Sequence, residues 1–304
     1  MQPPLKHQRT INGGAIVFFV LWCIGQIARD QSWVTGLCFY IPSLFVCVLF
    51  AFLTFVRWRQ KSRIGWIFLA IAGLAGFCVC FVDNSIFGGL WVESQTPTST
   101  HTLVHWNVFD GQFYWQSGHN RLVAMAPEII VLSEPPSPER VRALSEALGA
   151  EYDYQRFGSM AAIARGELAP NNTLADEENY EVNQFYWTFG GKTYQIFGVD
   201  CSSDIFHHRH PTLGKVNSLI AEHQPDFIVG DFNAPRRSLA LQQLPTGYVH
   251  AYESVGTGLS YTWPWPVPMY SLDQCIVRQP IRIDSYELIS GASDHRLQFL
   301  RFGQ

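Results

Sequence analysis

Three long runs of apolar residues open the chain, at 11–28, 33–56 and 64–82, and after residue 100 the pattern changes to short apolar runs broken by polar clusters. Each long run approaches the roughly 20 residues that a helix needs to cross a bilayer core. For the first, the shortest of the three, a buried soluble helix is the competing reading. The second and third are too long and too uniformly apolar for that. Pro42 inside the second is compatible with a kinked membrane helix, whose neighbours can re-satisfy the freed backbone. The first run is followed by Gln26-Ile27-Ala28-Arg29 rather than a small-residue cleavage site, and two further spans follow it, so a removable signal peptide is not expected.

Beyond residue 100 the apolar runs have strand length. Residues 102–107 and 128–132 read as buried strands, 120–125 as helical, and 137–148 as a helix with Ser137 as cap and Pro138 in the first turn. A strand is expected at 160–164. Residues 184–189 and 193–199, either side of Gly190-Gly191, read as a hairpin. A helix at 212–223 leads to a strand at 227–229, and 272–277, 281–289 and 296–302 close the chain as strands. Strands and helices interleave, with hairpins among them. That favours an α/β sandwich of mixed sheets over a doubly wound parallel sheet. The expected organisation is a membrane region over 1–82, a polar linker over 83–100 and a folded domain over 101–304.

Charge orients this arrangement. Lys6 and Arg9 precede the first run, and Arg57, Arg59, Lys61 and Arg63 separate the second from the third, whereas the intervening loop has only Arg29 beside Asp30. The positive-inside bias puts the N-terminus and the 57–63 loop in the cytoplasm. The folded domain then lies in the periplasm or outside the cell, on a multi-pass protein of the inner membrane. A cytoplasmic 57–63 loop exports that domain even if the first run does not cross. Residues 101–304 carry 14 Lys+Arg against 22 Asp+Glu, a net charge of −8. A general binder of duplex DNA usually shows a basic stripe, and this domain is acidic. Of seven cysteines, only Cys201 and Cys275 fall in the domain, which is no disulfide framework.

Five polar clusters sit at the ends of the short apolar runs: His105-Trp106-Asn107, Ser133-Glu134, Gly230-Asp231-Phe232-Asn233, Leu272-Asp273-Gln274 and Ser293-Asp294-His295. A sheet could bring all of them to one rim. In the third, an apolar strand delivers Gly, Asp and Asn into a tight turn, where the carboxylate can polarise a water and the carboxamide can hold a phosphate oxygen. The competing reading is an ordinary Asx turn. Glu134 offers a hard oxygen for Mg²⁺, which takes one or two protein carboxylates and keeps its waters; alternatively it is a turn acid before Pro135-Pro136. His295 suits phosphate contact or proton transfer near neutrality. Asp110 before Gly111 reads as a turn residue, and His207-His208-Arg209-His210 as a solvated loop.

The order Asn, Glu, Asp-x-Asn, Asp, Asp-His resembles the endonuclease/exonuclease/phosphatase superfamily, which includes deoxyribonucleases, abasic-site endonucleases, neutral sphingomyelinases and inositol polyphosphate 5-phosphatases. The resemblance covers roughly 101–302 and rests on Trp106-Asn107-Val108, the run from Pro127 to Glu134, Gly230-Asp231-Phe232-Asn233, Leu272-Asp273 and Ser293-Asp294-His295. Tyr261-Thr262-Trp263-Pro264 is similar to a segment of bacterial membrane-bound members. The resemblance implies a four-layer α/β sandwich that hydrolyses phosphate esters with Mg²⁺, Mn²⁺ being an acceptable substitute. By matched position Glu134 would be the main metal ligand with Asn107 beside it. Asp231 would activate the attacking water, Asn233 would hold the phosphate, and His295 would stabilise charge on phosphorus or move a proton. Asp273 and Asp294 would position that histidine or a second metal. Two positions depart from the pattern. Asp200 stands where the family has His or Tyr, and Ser271 where a basic residue precedes Ile-Asp.

The expected activity is therefore that of a membrane-anchored phosphoester hydrolase, a phosphodiesterase ahead of a phosphatase. Its substrate would be a phosphate ester such as a lipid head group or extracellular nucleic acid, and no protein partner is evident. The alternative is a catalytically silent binding or assembly module of the same fold, with Asp200 and Ser271 as marks of decay.

Overall fold

The computed structural model describes residues 5–60, 65–84 and 101–303. The expected linker falls almost wholly outside these, as do Lys61 and Arg63. The chain divides into two compact units. One holds the described residues of Met1–Asn84 with the short segments Ile205–His210 and Arg237–Leu239, and the other holds the rest.

The first unit is helical: α1 (Leu5–Ala28), α2 (Trp33–Phe39), α3 (Ser43–Arg59) and α4 (Gly65–Asp83). Trp22, Val46, Phe50, Leu69 and Ala72 form its buried core. Ser32 caps α2 reciprocally with Thr35. Three separate membrane spans were expected, and this is corrected. Among the described residues one stretch, Trp66–Asp83, is long and apolar enough to cross a membrane. Gly13–Ala28 and Trp33–Phe39 meet that standard only as a pair bent by 113°. The run at 33–56 is two helices, not one kinked helix. Pro42 has no N–H to continue the ladder and sits as the N-cap of α3, with extended backbone at φ −66°, ψ 126°.

The second unit carries two six-stranded sheets. Its elements are β1 (His101–Asn107), α5 (Trp115–Met125), β2 (Ile129–Ser133), α6 (Pro138–Leu148), β3 (Tyr152–Phe157), β4 (Met160–Arg165), β5 (Glu167–Glu177), β6 (Tyr180–Phe189), β7 (Lys192–Cys201), α7 (Arg209–His223), β8 (Phe227–Asp231), α8 (Leu239–Gln242), β9 (Tyr248–His250), α9 (Ala251–Val255), β10 (Asp273–Arg278), β11 (Arg282–Ile289) and β12 (Leu297–Gly303). The sheet orders are β11-β12-β1-β2-β4-β3 and β5-β6-β7-β8-β10-β9. Both are mixed, because β1–β2 and β7–β8 are parallel and the remaining pairs antiparallel.

The central strands are buried on both faces, which is why they read as continuous apolar runs rather than alternating ones. Period-two geometry divides each between two cores. Leu103, Ile129, Val131, Phe227 and Val229 point between the sheets with Met160, Trp187 and Phe302. Val104, Trp106, Ile130 and Leu132 point outward to Leu122 of α5 and to Val141 and Leu144 of α6. On the other sheet Phe197, Val199 and Ile228 meet Leu213, Val216 and Ile220 of α7. Helices thus cover both outer faces. Ser137 stands at the N-cap of α6 as expected, but its hydroxyl makes no capping bond to the helix backbone.

Candidate active site

The sheet topology explains why distant clusters converge. The parallel pairs β1–β2 and β7–β8 end at the same rim, and the antiparallel strands β10 and β12 begin there. Asn107 pairs with Ser133, Asp200 with Asp231, and Asp273 with Asp231 in the strand registers. Glu134 follows β2 in the left-handed region, φ 46°, and its N–H donates to the Ser159 carbonyl. Asn233 has the same backbone sense, φ 46°. These two strained positions turn the chain sharply where the strands end.

Asn107 is the link between two carboxylates. Its Nδ2 donates to Glu134 Oε1 and to Asp231 Oδ2, each at 3.0 Å, while its Oδ1 accepts the Phe109 N–H at 3.0 Å. Asn107, expected beside a metal ligand, therefore turns its NH₂ rather than its oxygen toward the acids. Asp231 Oδ1 accepts the Asn233 N–H at 2.9 Å. The Asn233 carboxamide donates to the Cys201 carbonyl at 2.7 Å, so it braces the end of β7.

Asp273 and His295 form a buried pair, Oδ2 to Nδ1 at 2.8 Å. His295 Nε2 lies 3.8 Å from Asp231 Oδ2, too long for a hydrogen bond but close enough for one group to contact both from the side. Asp294 is held elsewhere. Its Oδ2 takes the Trp263 indole N–H at 3.0 Å, and its Oδ1 lies 3.2 Å from Ser293 Oγ.

Several supporting residues escaped the sequence reading. Thr262 Oγ1 accepts the N–H groups of Leu272 and Asp273 at 3.0 and 3.2 Å, fixing the start of β10. Ser293 Oγ donates to the Asn107 carbonyl at 2.8 Å, and the Trp106 indole to the His295 carbonyl at 3.0 Å. His105, buried beneath, meets Ser133 Oγ at 2.9 Å. Thr262 lay in the Tyr261-Thr262-Trp263-Pro264 segment, and His105, Trp106, Ser133 and Ser293 lay in the polar clusters, but the sequence assigned none of them a supporting role.

Burial and charge set the ionisation. Burial pushes Asp231 up, with Asp273 adding to it, to a pKa of about 7. Burial pulls His295 down, but Asp273 and Asp231 outweigh it and hold the imidazolium to about 10. Burial also acts to raise Asp273, and its contact with His295 reverses the direction and lowers it. Asp200 is pushed up to about 6, by burial first and by Glu134, Glu181 and Asp273 against a Ser159 hydrogen bond. Burial lowers His105 to about 4, so it is neutral.

The donor set suits a hard divalent cation. Glu134, Asp200, Asp231 and Asp273 bring four carboxylates to one rim against one imidazolium. Asp231, Asp273 and His295 each place a ligand atom within 4.8 Å of the others, and Asp273 Oδ1 is buried without a donor. Oxygen-rich, charge-uncompensated sites of this kind match Mg²⁺ or Mn²⁺.

No protein-family model matches the chain. No curated protein matches it either. Solved structures do. D. rerio TDP2 complexed with single strand DNA product aligns at TM-score 0.55 and 18% identity, over 68% of this chain and 100% of that one. A mannosyl-6-phosphatase of Bacteroides thetaiotaomicron aligns at TM-score 0.54 and 14% identity, over 67% and 100%. An endonuclease/exonuclease/phosphatase from Bacteroides vulgatus aligns at TM-score 0.53 and 16% identity, over 68% and 99%. What is shared at these identities is the fold. The second unit has the mixed α/β fold of endonuclease/exonuclease/phosphatase structures.

Proposed function

We propose that the second unit is a Mg²⁺-dependent phosphoester hydrolase, a phosphodiesterase ahead of a phosphatase, held at a membrane by the first. The observation that carries this reading is the bridge from Glu134 through Asn107 to Asp231, with the Asp273–His295 pair 3.8 Å beyond. It sets a base and an acid side by side, where both can reach one substrate group.

Asp231, with its pKa near neutrality, takes a proton from an attacking water at pH 7, where a general base works best. His295 stays charged and presents Nε2 to a phosphoryl or leaving oxygen as negative charge develops. Asp273 fixes the imidazole through Nδ1, and Asn107 keeps the two carboxylates at a set separation. Glu134, with Asn107 beside it, would hold the metal. Bound there, Mg²⁺ would neutralise charge on the phosphoryl oxygens. Asp294 serves the loop that carries Trp263.

The relatives of shared fold support the chemistry: one is a phosphatase and another was captured with a DNA product. The basic residues Arg57, Arg59, Lys61 and Arg63 before the apolar stretch Trp66–Asp83 support an N-terminal side in the cytoplasm and a catalytic unit outside it, at the inner membrane. Purified full-length protein in detergent, assayed with Mg²⁺ on a soluble diester and monoester, tests the reading. Turnover abolished by EDTA and by Asp231→Asn is expected. No turnover of either ester at any divalent-ion concentration would favour the silent module.

A further inference from the structure

The second unit hides nearly all of its large apolar side chains. Six described ones remain exposed, and five of these lie on two loops, one leaving β1 and one entering β10, at the ends of those strands that carry Asn107 and Asp273. Phe113 and Tyr114, 43% and 74% exposed, lie on the loop after β1. Leu259, Trp265 and Val267, at 47%, 47% and 59%, lie on the loop before β10. The sixth is Tyr186. Apolar exposure concentrated on two loops of one rim points to an interaction site, whereas exposure scattered over the surface does not.

Both loops are tied to the site itself. Phe109 donates its N–H to Asn107 Oδ1, and its ring stacks on Phe113 with centroids 5.6 Å apart. On the other side, Trp263 Nε1 and the Trp265 N–H donate to the carboxylate and carbonyl of Asp294, at 3.0 and 2.8 Å. Thr262 on that loop holds Asp273. Phe113 and Trp265 are thereby carried on loops anchored to the candidate site itself.

The tip of the second loop has an unusual chemistry. Trp263 and Tyr270 bridge to close it, leaving Pro264-Trp265-Pro266-Val267-Pro268 at the turn. Three prolines remove three N–H donors, and the Trp265 N–H is satisfied by Asp294. The tip therefore has few N–H donors to desolvate. No Asp, Glu, Lys or Arg occurs from 254 to 272, nor from 111 to 120. Tryptophan and tyrosine are the residues that favour the headgroup region of a bilayer.

We infer that this rim dips into the surface of a phospholipid bilayer, and that the substrate is a phosphoester of a membrane lipid whose chains stay in the bilayer. The inference rests on the hydrolase reading above. The chain itself supplies the reason for choosing lipid over a protein partner. The membrane-length stretch Trp66–Asp83 is followed, after residues 84–100, by β1. Seventeen residues span at most about 60 Å, so the chain keeps β1 within that distance of the end of the membrane-length stretch. The unit carries a net charge of −8 over residues 101–304, so apolar contact and not attraction to anionic lipid supplies the binding.

The test uses the full-length protein reconstituted in phosphatidylcholine vesicles doped with brominated lipid. The wild type is compared with Trp265→Phe, and with a Phe113→Ser/Trp265→Ser double variant. Expected is a lipid-quenched fluorescence component in the wild type that Trp265→Phe lacks. Expected also is phosphoester release from vesicles of a bacterial total lipid extract, reduced about tenfold or more in the double variant by loss of two apolar anchors. Its rate on a water-soluble diester stays at the wild-type level. Equal quenching in both proteins, or an enzyme that turns over the soluble ester and releases nothing from lipid, overturns the inference. Absence of turnover by the wild type on the soluble esters and on the lipid vesicles alike would instead overturn the hydrolase reading on which it rests.

Discussion

Asp200→Asn should stabilise the protein above neutral pH and leave it unchanged in acid. Asp200 ends β7 in register with Asp231 on one side and Glu181 on the other. Its carboxyl is raised from 3.8 to about 6, with burial as the first cause and neighbouring acids next. At about 1.4 kcal/mol per tenfold in proton affinity, that corresponds to about 3 kcal/mol. The side chain keeps partial contact with solvent, which trims the figure to on the order of 2 kcal/mol. A carboxyl raised by folding favours the native state while it stays protonated. That benefit is complete below about pH 4, where the unfolded chain is protonated too, and is lost as pH climbs through about 6. Asparagine keeps the shape and removes the charge. Urea unfolding with EDTA present, followed by fluorescence, should show a gain of on the order of 2 kcal/mol at pH 7.5 and none at pH 4. Added Mg²⁺ should narrow the gap, because a bound cation relieves the repulsion. A gain equal at both pH values, or a loss at pH 7.5, would refute the electrostatic account of this position.

Three further outcomes follow from the same geometry. Asp231→Asn should lower kcat by about a thousandfold or more while preserving the fold, as judged by circular dichroism, since it removes the proposed base without adding volume. Asp273→Asn takes away the partner that outweighs burial at His295; its pKa should fall from about 10 toward or below 6.5, measurable by imidazole NMR, and the alkaline limb of kcat/KM should move to lower pH. Gly230→Ala should fail to accumulate as folded protein. Gly230 has φ +157°, and a Cβ there would run into the Val199 carbonyl on the neighbouring strand, at a cost of about 4 kcal/mol or more.

Which elements could be read from sequence depended on burial. β1, β2, β4, β7 and β8 are enclosed on both faces, so their apolar runs announced them. The strands that went unnoticed lie at sheet margins. β3, Tyr152–Phe157, is the outer strand of one sheet and mixes Asp153, Gln155 and Arg156 with its aromatics. β5, Glu167–Glu177, is the outer strand of the other, with register shifts between Ala169 and Asn172 and between Thr173 and Ala175. Its polar Asn172, Thr173 and Asp176 mimic a loop, as margin strands often do. In the helical unit the uniform hydropathy of 33–56 concealed the break at Pro42. Composition measures whether a segment tolerates lipid, while the missing N–H decides where a helix stops.

The candidate site divides along the same line. Asn107, Glu134, Asp231, Asp273 and His295 were legible as candidates because each stands at one end of an apolar run, and the strand order brings those ends to one rim. Their ionisation was not legible at all. Asp231 and Asp273 are the same residue type, both buried and directly paired in register, yet folding raises one and lowers the other. The asymmetry comes from the 2.8 Å contact with His295 that Asp273 has and the 3.8 Å separation that Asp231 has. A difference of 1 Å between neighbouring strands of one sheet thus decides which acid pairs with the imidazolium and which is poised near neutrality to accept a proton. Hydroxyls such as Thr262 and Ser293 fix that spacing from loops, where a single oxygen leaves no periodic trace in the sequence.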